Sequence, residues 1–218
     1  MSLPMLDRYV RAFLETLFMV GASGLISLSA GLLLAVVLTV TAPGHLYASP
    51  RLNRALSVVV NVFRALPFII LLVALLPVTR YVVGTTLGTW AAVVPLSVSL
   101  TPYFARIAQV SLNEIDPGLI EAARAMGCRR RHIIRHVLLP EALPGIVGGM
   151  TVSVIGMINA SAMAGAVGAG GLGDMAIRYG YERYETQVMF EVILILIALV
   201  SLVQFAGERL ARRVNHRK

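Results

Sequence analysis

Few residues in this sequence sit where they could do chemistry, and each candidate has a plainer reading. His132 and His136 stand four apart, one helical turn, a spacing at which two imidazoles can share a metal ion. Their neighbours Arg129, Arg130, Arg131 and Arg135 repel a cation, so the pattern reads as a solvated basic face and no metal ligand is assigned. Gly168, Gly170 and Gly173 spell G-x-G-x-x-G. A dinucleotide fingerprint requires a strand before it and a helix of a soluble βαβ unit after it, and here a long apolar run precedes it. A phosphate-binding Walker loop requires a lysine, and the only lysine, Lys218, lies near nothing glycine-rich. Cys128 is the sole cysteine, which excludes an intrachain disulfide, and after Gly127 it reads as a small spacer. No nucleophile and base fall together, so no catalytic residue and no cofactor are assigned to this chain.

The elements that hold these residues are apolar. Hydrophobic residues make up 57% of the 218 and charged residues only 14%. A soluble domain cannot hide that much apolar surface, so the solvent is lipid. The formal charge of +8 does not point to nucleic acid. The basic residues flank apolar runs and lack the interleaved aromatics on which bases stack.

An all-α, polytopic membrane protein follows, a single domain with five expected transmembrane helices at about 13–40, 56–79, 87–110, 143–167 and 186–207. The first run is too long for the core of a signal peptide. Its Gly21, Gly24 and Gly31 permit close helix contacts, and Glu15 near the outer end is placed to snorkel. In the second span Pro67 predicts a kink, with Arg64 a turn or two inside. That arginine either snorkels or faces a watery cavity. Residues 80–86 read as a tight connection. The fourth span carries Gly145, Gly149, Ser153, Ser161, Gly165 and Ala169, a ridge of small residues for close packing. Residues 168–185 read as flexible, then amphipathic.

Five spans place the termini on opposite sides. Thirteen basic residues fall in the 42–55 loop, the 111–142 region with Arg106, and the C-terminal tail, against five on the other side. Positive residues stay in the cytoplasm, so the N-terminus is periplasmic and the C-terminus cytoplasmic.

The long polar loop, about 111–142, is therefore cytoplasmic. Asp116-Pro117 is a helix start, with a side-chain cap followed by a residue that has no amide to leave unpaired. Gly127 is suited to a left-handed C-cap. A second helix, roughly 129–139, puts Ile133, Ile134, Val137 and Leu138 on one arc, and Pro140 is expected to end it. The result is a helix–turn–helix, small and flat at Glu121-Ala122-Ala123, shaped for docking.

The spacing Glu121-Ala122-Ala123, then Gly127, Val137, Leu139 and Pro140, resembles the EAA loop of binding-protein-dependent ABC import permeases, with valine where the family usually has isoleucine. The stretch Ser161 to Gly173 resembles the outer segment of methionine-type import permeases, and Arg64-x-x-Pro67 that of the second-helix region of amino-acid-type permeases. The likeness covers nearly the whole chain. It implies a type I importer permease of the inner membrane whose coupling helix sits in a cleft of a separate cytoplasmic ATPase, two copies of which carry ATP and Mg. It further implies a second copy of this chain, a periplasmic substrate-binding protein or lipoprotein outside, and methionine as cargo, carried by alternating access. The segment from Ser161 and Met163 through Gly165, Gly170 and Gly173 is the candidate outer gate, with Arg64 and Pro67 as pathway candidates. Met163 is either a gate residue or packing.

Three alternatives differ from this reading. Another amino acid or small osmolyte can be the cargo. An ATP-independent carrier or channel calls for intramembrane acids and repeated halves, which five spans do not supply. A non-transporting anchor explains the docking loop but not the glycine-rich outer segment.

Overall fold

The computed structural model describes residues 3–215, so Arg217 and Lys218 of the basic tail lie outside the described residues. Every secondary-structure element of the described chain is a helix. Helix α1 is Leu3–Thr41, α2 Pro50–Ala65, α3 Phe68–Ala74, α4 Leu76–Val83 and α5 Thr89–Asn113. The polar hairpin comprises α6, Pro117–Ala125, and α7, Arg130–Ile133. A π-helical turn, Ile134–Leu138, then leads into α8, Leu139–Ala164. At its far end a second π turn, Gly165–Ala169, opens into α9, Gly171–Met175, and a third, Ala176–Tyr181, precedes α10, Thr186–Val214.

Four of these stretches are long and apolar enough to cross a bilayer: Met5–Thr41, Thr89–Asn113, Arg130–Ala169 and Thr186–Val214. The pair α2 and α3, bent by 104°, is the fifth candidate. The expected kinked helix over 56–79 is thus corrected to a sharp break. Pro67 forces Leu66 out of the helical region, and Leu66 takes ψ 129° and Pro67 ψ 134°. Arg80 lies within α4, not in a tight connection, and the turn comes at Gly84, φ +84°.

Proline acts in the opposite way at position 140. The expected end of the helix there is not found: the chain stays helical from Arg130 through Ala164. The π turn immediately before Pro140 widens the ladder, which makes room for the ring and for the carbonyls that lose its N–H as partner.

Helix α1 lies along α5, and α8 packs on α5 and on α10. Small residues set these crossings. A Cβ on Gly31 would come within 2.9 Å of Phe104 Cδ1 and the Thr101 carbonyl of α5. Gly149 is equally tight against Ile107, where a Cβ would lie 2.5 Å from Cγ2, and Gly145 against Ser111. Gly207 of α10 abuts Thr151 of α8. Gly21, by contrast, faces open space. Phe104, Leu112, Leu138 and Ile146 form the fully buried core where α5 meets α8 at the hairpin end.

Candidate functional site: the coupling hairpin and the outer segment

The hairpin that carries the EAA pattern is closed at both ends of α6. Asp116 Oδ1 accepts from the Gly118 N–H at 2.8 Å, and Pro117 follows as the first helical residue. At the other end the Gly127 N–H donates to the Arg124 carbonyl at 2.9 Å and the Cys128 N–H to the Ala123 carbonyl at 3.1 Å. These two bonds make a Schellman turn, and Gly127 has the left-handed φ of +75° it requires.

The face of α6 differs from the expected flat triplet. Glu121 and Ala122 are exposed, but Ala123 is buried. Ala123 packs with Leu46 and Ile133, flanked by Ile120, Cys128, Ile134 and Val137. Leu46 comes from the loop between α1 and α2, which is folded under the hairpin. The Tyr47 N–H donates to the Val40 carbonyl, and Asn53 Nδ2 donates to the Leu38 carbonyl at 2.6 Å. The Arg130 guanidinium lies 5.2 Å over the Tyr47 ring. The sequence reading used that loop only for its basic residues; Leu46 and Tyr47, two large apolar residues among polar ones, were the available signal.

Of the remaining coupling candidates, Val137 and Leu139 are half-buried and Pro140 is exposed. Leu139 packs against the core between α5 and α8. The hairpin is thus joined to two long helices by packed side chains. The rings of His132 and His136 stack at 4.2 Å, and among the described residues no three His, Cys, Asp or Glu side chains cluster as metal ligands would.

At the opposite end of α8 the expected gate residues separate. Met163 is 43% exposed, while Ser161 is turned inward and donates to the Ile158 carbonyl at 2.7 Å. Gly165 is packed backbone to backbone against Gly173 and the amide of Asp174, and Gly173 against Ala162. Residues 168–185 are therefore not flexible at their start. Ala169 and residues Gly171, Leu172 and Gly173 are buried, and the chain re-enters the protein as α9. Glu15 is not a snorkelling residue. Its Oε2 accepts from the Gly171 N–H at 2.9 Å while Oε1 pairs with Arg11 Nε at 3.1 Å. Thr16 Oγ1 accepts from the Leu172 N–H at 2.9 Å. Neither partner was legible, because 156 residues separate them. Arg64 is exposed near the end of α2 and makes no ion pair among the described residues, and Pro67 is exposed at the bend.

A bundle of membrane-length helices with a capped polar hairpin at one end and a packed, glycine-rich re-entrant segment at the other defines a polytopic membrane protein. The chain belongs to the family described as binding-protein-dependent transport system inner membrane component, whose model matches residues 27–216. It is 49% identical over 217 residues to the D-methionine transport system permease protein MetI of Escherichia coli K12, covering all of both chains. It is 38% identical to the methionine import system permease protein MetP of Bacillus subtilis, covering 83% of this chain and 82% of that one. Among solved structures it matches a chain of the inward-facing MetNI methionine ABC transporter at TM-score 0.97 and 50% identity, covering 99% of this chain and 100% of that one. An amino acid ABC transporter at 21% identity and TM-score 0.74 shares the fold. The fold is that of a type I ABC importer permease, a multi-pass component of the inner membrane.

Proposed function

We propose that this chain is the membrane-spanning subunit of an ATP-driven methionine importer. The observation that carries the reading is the match along the whole chain, at half sequence identity, to a permease of the MetNI methionine transporter. Two copies of the chain form the pathway, two cytoplasmic ATPase subunits hold ATP and Mg, and a periplasmic binding protein delivers the substrate. The charge distribution supports a periplasmic N-terminus and a cytoplasmic C-terminus.

The hairpin geometry suits the task. The exposed Glu121 and Ala122 enter the ATPase cleft, while the buried Ala123 holds α6 to its own scaffold. Caps at both ends make α6 a short rigid strut. Its support runs through Ile115 and Leu112 to α5 and through Leu138 and Ala142 to α8. ATP-driven closure of the ATPase pair moves the hairpin as a rigid body, and α5 and α8 follow without a flexible joint between. The 26 residues of α8 span about 39 Å at the helical rise, so displacement at the hairpin reaches the neighbourhood of Met163. Glu121, Ala122, Ala123, Gly127, Val137, Leu139 and Pro140 are the coupling residues of this proposal. Ser161, Gly165, Gly170 and Gly173 shape the outer end around Met163, and Arg64 and Pro67 belong to the pathway side.

Uptake of labelled methionine by proteoliposomes holding the permease, the ATPase and the binding protein tests this. ATP-dependent uptake that requires the binding protein is expected. Uptake indifferent to ATP would make the chain a carrier or channel. ATP-dependent uptake of another amino acid but not methionine would leave the importer and reject the substrate.

A further inference from the structure

At the outer end of α8 the chain must reverse within a few residues. Gly168, Gly170 and Gly171 all take positive φ, between +80° and +90°, which L side chains rarely adopt. The reversal leaves the first amides of α9 without intrahelical partners. Both bonds to these amides come from α1: Glu15 Oε2 accepts from Gly171 and Thr16 Oγ1 from Leu172, each at 2.9 Å. Thr16 is 2% exposed, so its bond is shielded from water that could replace it. The fit around the bonds is close. A Cβ on Gly170 would come within 2.7 Å of Glu15 Oε2, and one on Gly171 within 2.7 Å of Thr16 Oγ1. A third tie runs to the start of α5, where the Gly88 N–H donates to the Gly168 carbonyl at 2.9 Å.

We infer that Glu15 and Thr16 are positioning residues for transport: they latch the re-entrant segment to α1, so that the segment travels with α1 and α5 as one body. The inference rests on the importer reading. The latch holds the segment that packs against α8 beside Met163 through Gly165 and Gly173. The outer end then moves as a shift of this whole body, not by unfolding of the glycine turn. A segment freed from α1 no longer follows it, and ATP hydrolysis is spent without moving substrate.

The test uses the intact complex of permease, ATPase and binding protein, with Glu15→Leu and Thr16→Val to remove the acceptors and Glu15→Gln and Thr16→Ser to keep them. Hydrogen exchange at peptides covering 168–175 reads the latch directly, and methionine imported per ATP hydrolysed reads its consequence. In the wild type these amides stay protected both without nucleotide and with ATP trapped. Glu15→Leu and Thr16→Val speed their exchange by roughly tenfold and lower methionine imported per ATP several-fold, while Gln and Ser restore both readouts. Wild-type exchange and coupling in Glu15→Leu would overturn the inference, as would damage by Gln equal to that by Leu. So would loss of wild-type protection when ATP is trapped. A wild-type complex with no ATP-dependent uptake would instead reject the importer reading, and the exchange arm would still judge the latch.

Discussion

The turn at Gly127 offers a substitution whose cost can be isolated. A Cβ at this position meets nothing within 4 Å, so a side chain adds no clash. The φ of +75° remains, and an L residue there costs about 1–2 kcal/mol. Valine, branched at Cβ, stands at the top of that range or above it. The penalty falls on a turn closed by two hydrogen bonds, from Gly127 and Cys128. A loss of 1–2 kcal/mol shifts the balance between the closed and open turn by roughly 5–30-fold. A side chain at Gly127 touches no part of the bundle core, so the protein folds and inserts, and the effect appears at the ATPase contact. Gly127→Val is expected to reduce co-purified ATPase and methionine uptake strongly, and Gly127→Asn to reduce them less, because asparagine tolerates the left-handed region better. Cys128→Ala, which keeps the backbone donor, serves as the control and stays near wild type. Equal uptake and expression for Gly127→Val and Cys128→Ala would refute the reasoning.

Glu121→Lys reverses a charge on the exposed face of α6; the permease should accumulate normally in the membrane yet recover less ATPase on purification, and undiminished recovery with normal uptake would count against the docking face. Gly149→Ala drives a methyl into Ile107 at the α5–α8 crossing and should lower thermal stability in detergent by about 1–3 kcal/mol. Gly21→Ala, on an open helix face, should leave stability unchanged or raise it by up to about 1 kcal/mol. Met163→Cys in a Cys128→Ala background should crosslink the two copies without nucleotide and lose that crosslink when ATP is trapped with the binding protein docked. No crosslink in either state, or one indifferent to nucleotide, would leave Met163 as packing.

What the sequence determined by itself was local or compositional. Apolar excess selected lipid as the solvent, because no soluble core could absorb it. Asp116-Pro117 and Gly127 marked the ends of α6, because capping and backbone sterics act within a few residues. The EAA spacing fell on the same helical hairpin, because the pattern is local. Tertiary structure decided what depends on neighbours distant in sequence. Pro67 breaks the chain by 104° whereas Pro140 passes within a continuous helix. The residue type alone does not decide the outcome, since Pro95 and Pro102 also pass inside the continuous α5. Ala123 turns inward because Leu46 waits beneath it. Glu15, a carboxylate at the edge of an apolar helix, becomes a cap for Gly171 only once the fold brings α1 and α9 together. A lone carboxylate in sequence carries no sign of which distant amide it will satisfy, and packing alone supplies the partner.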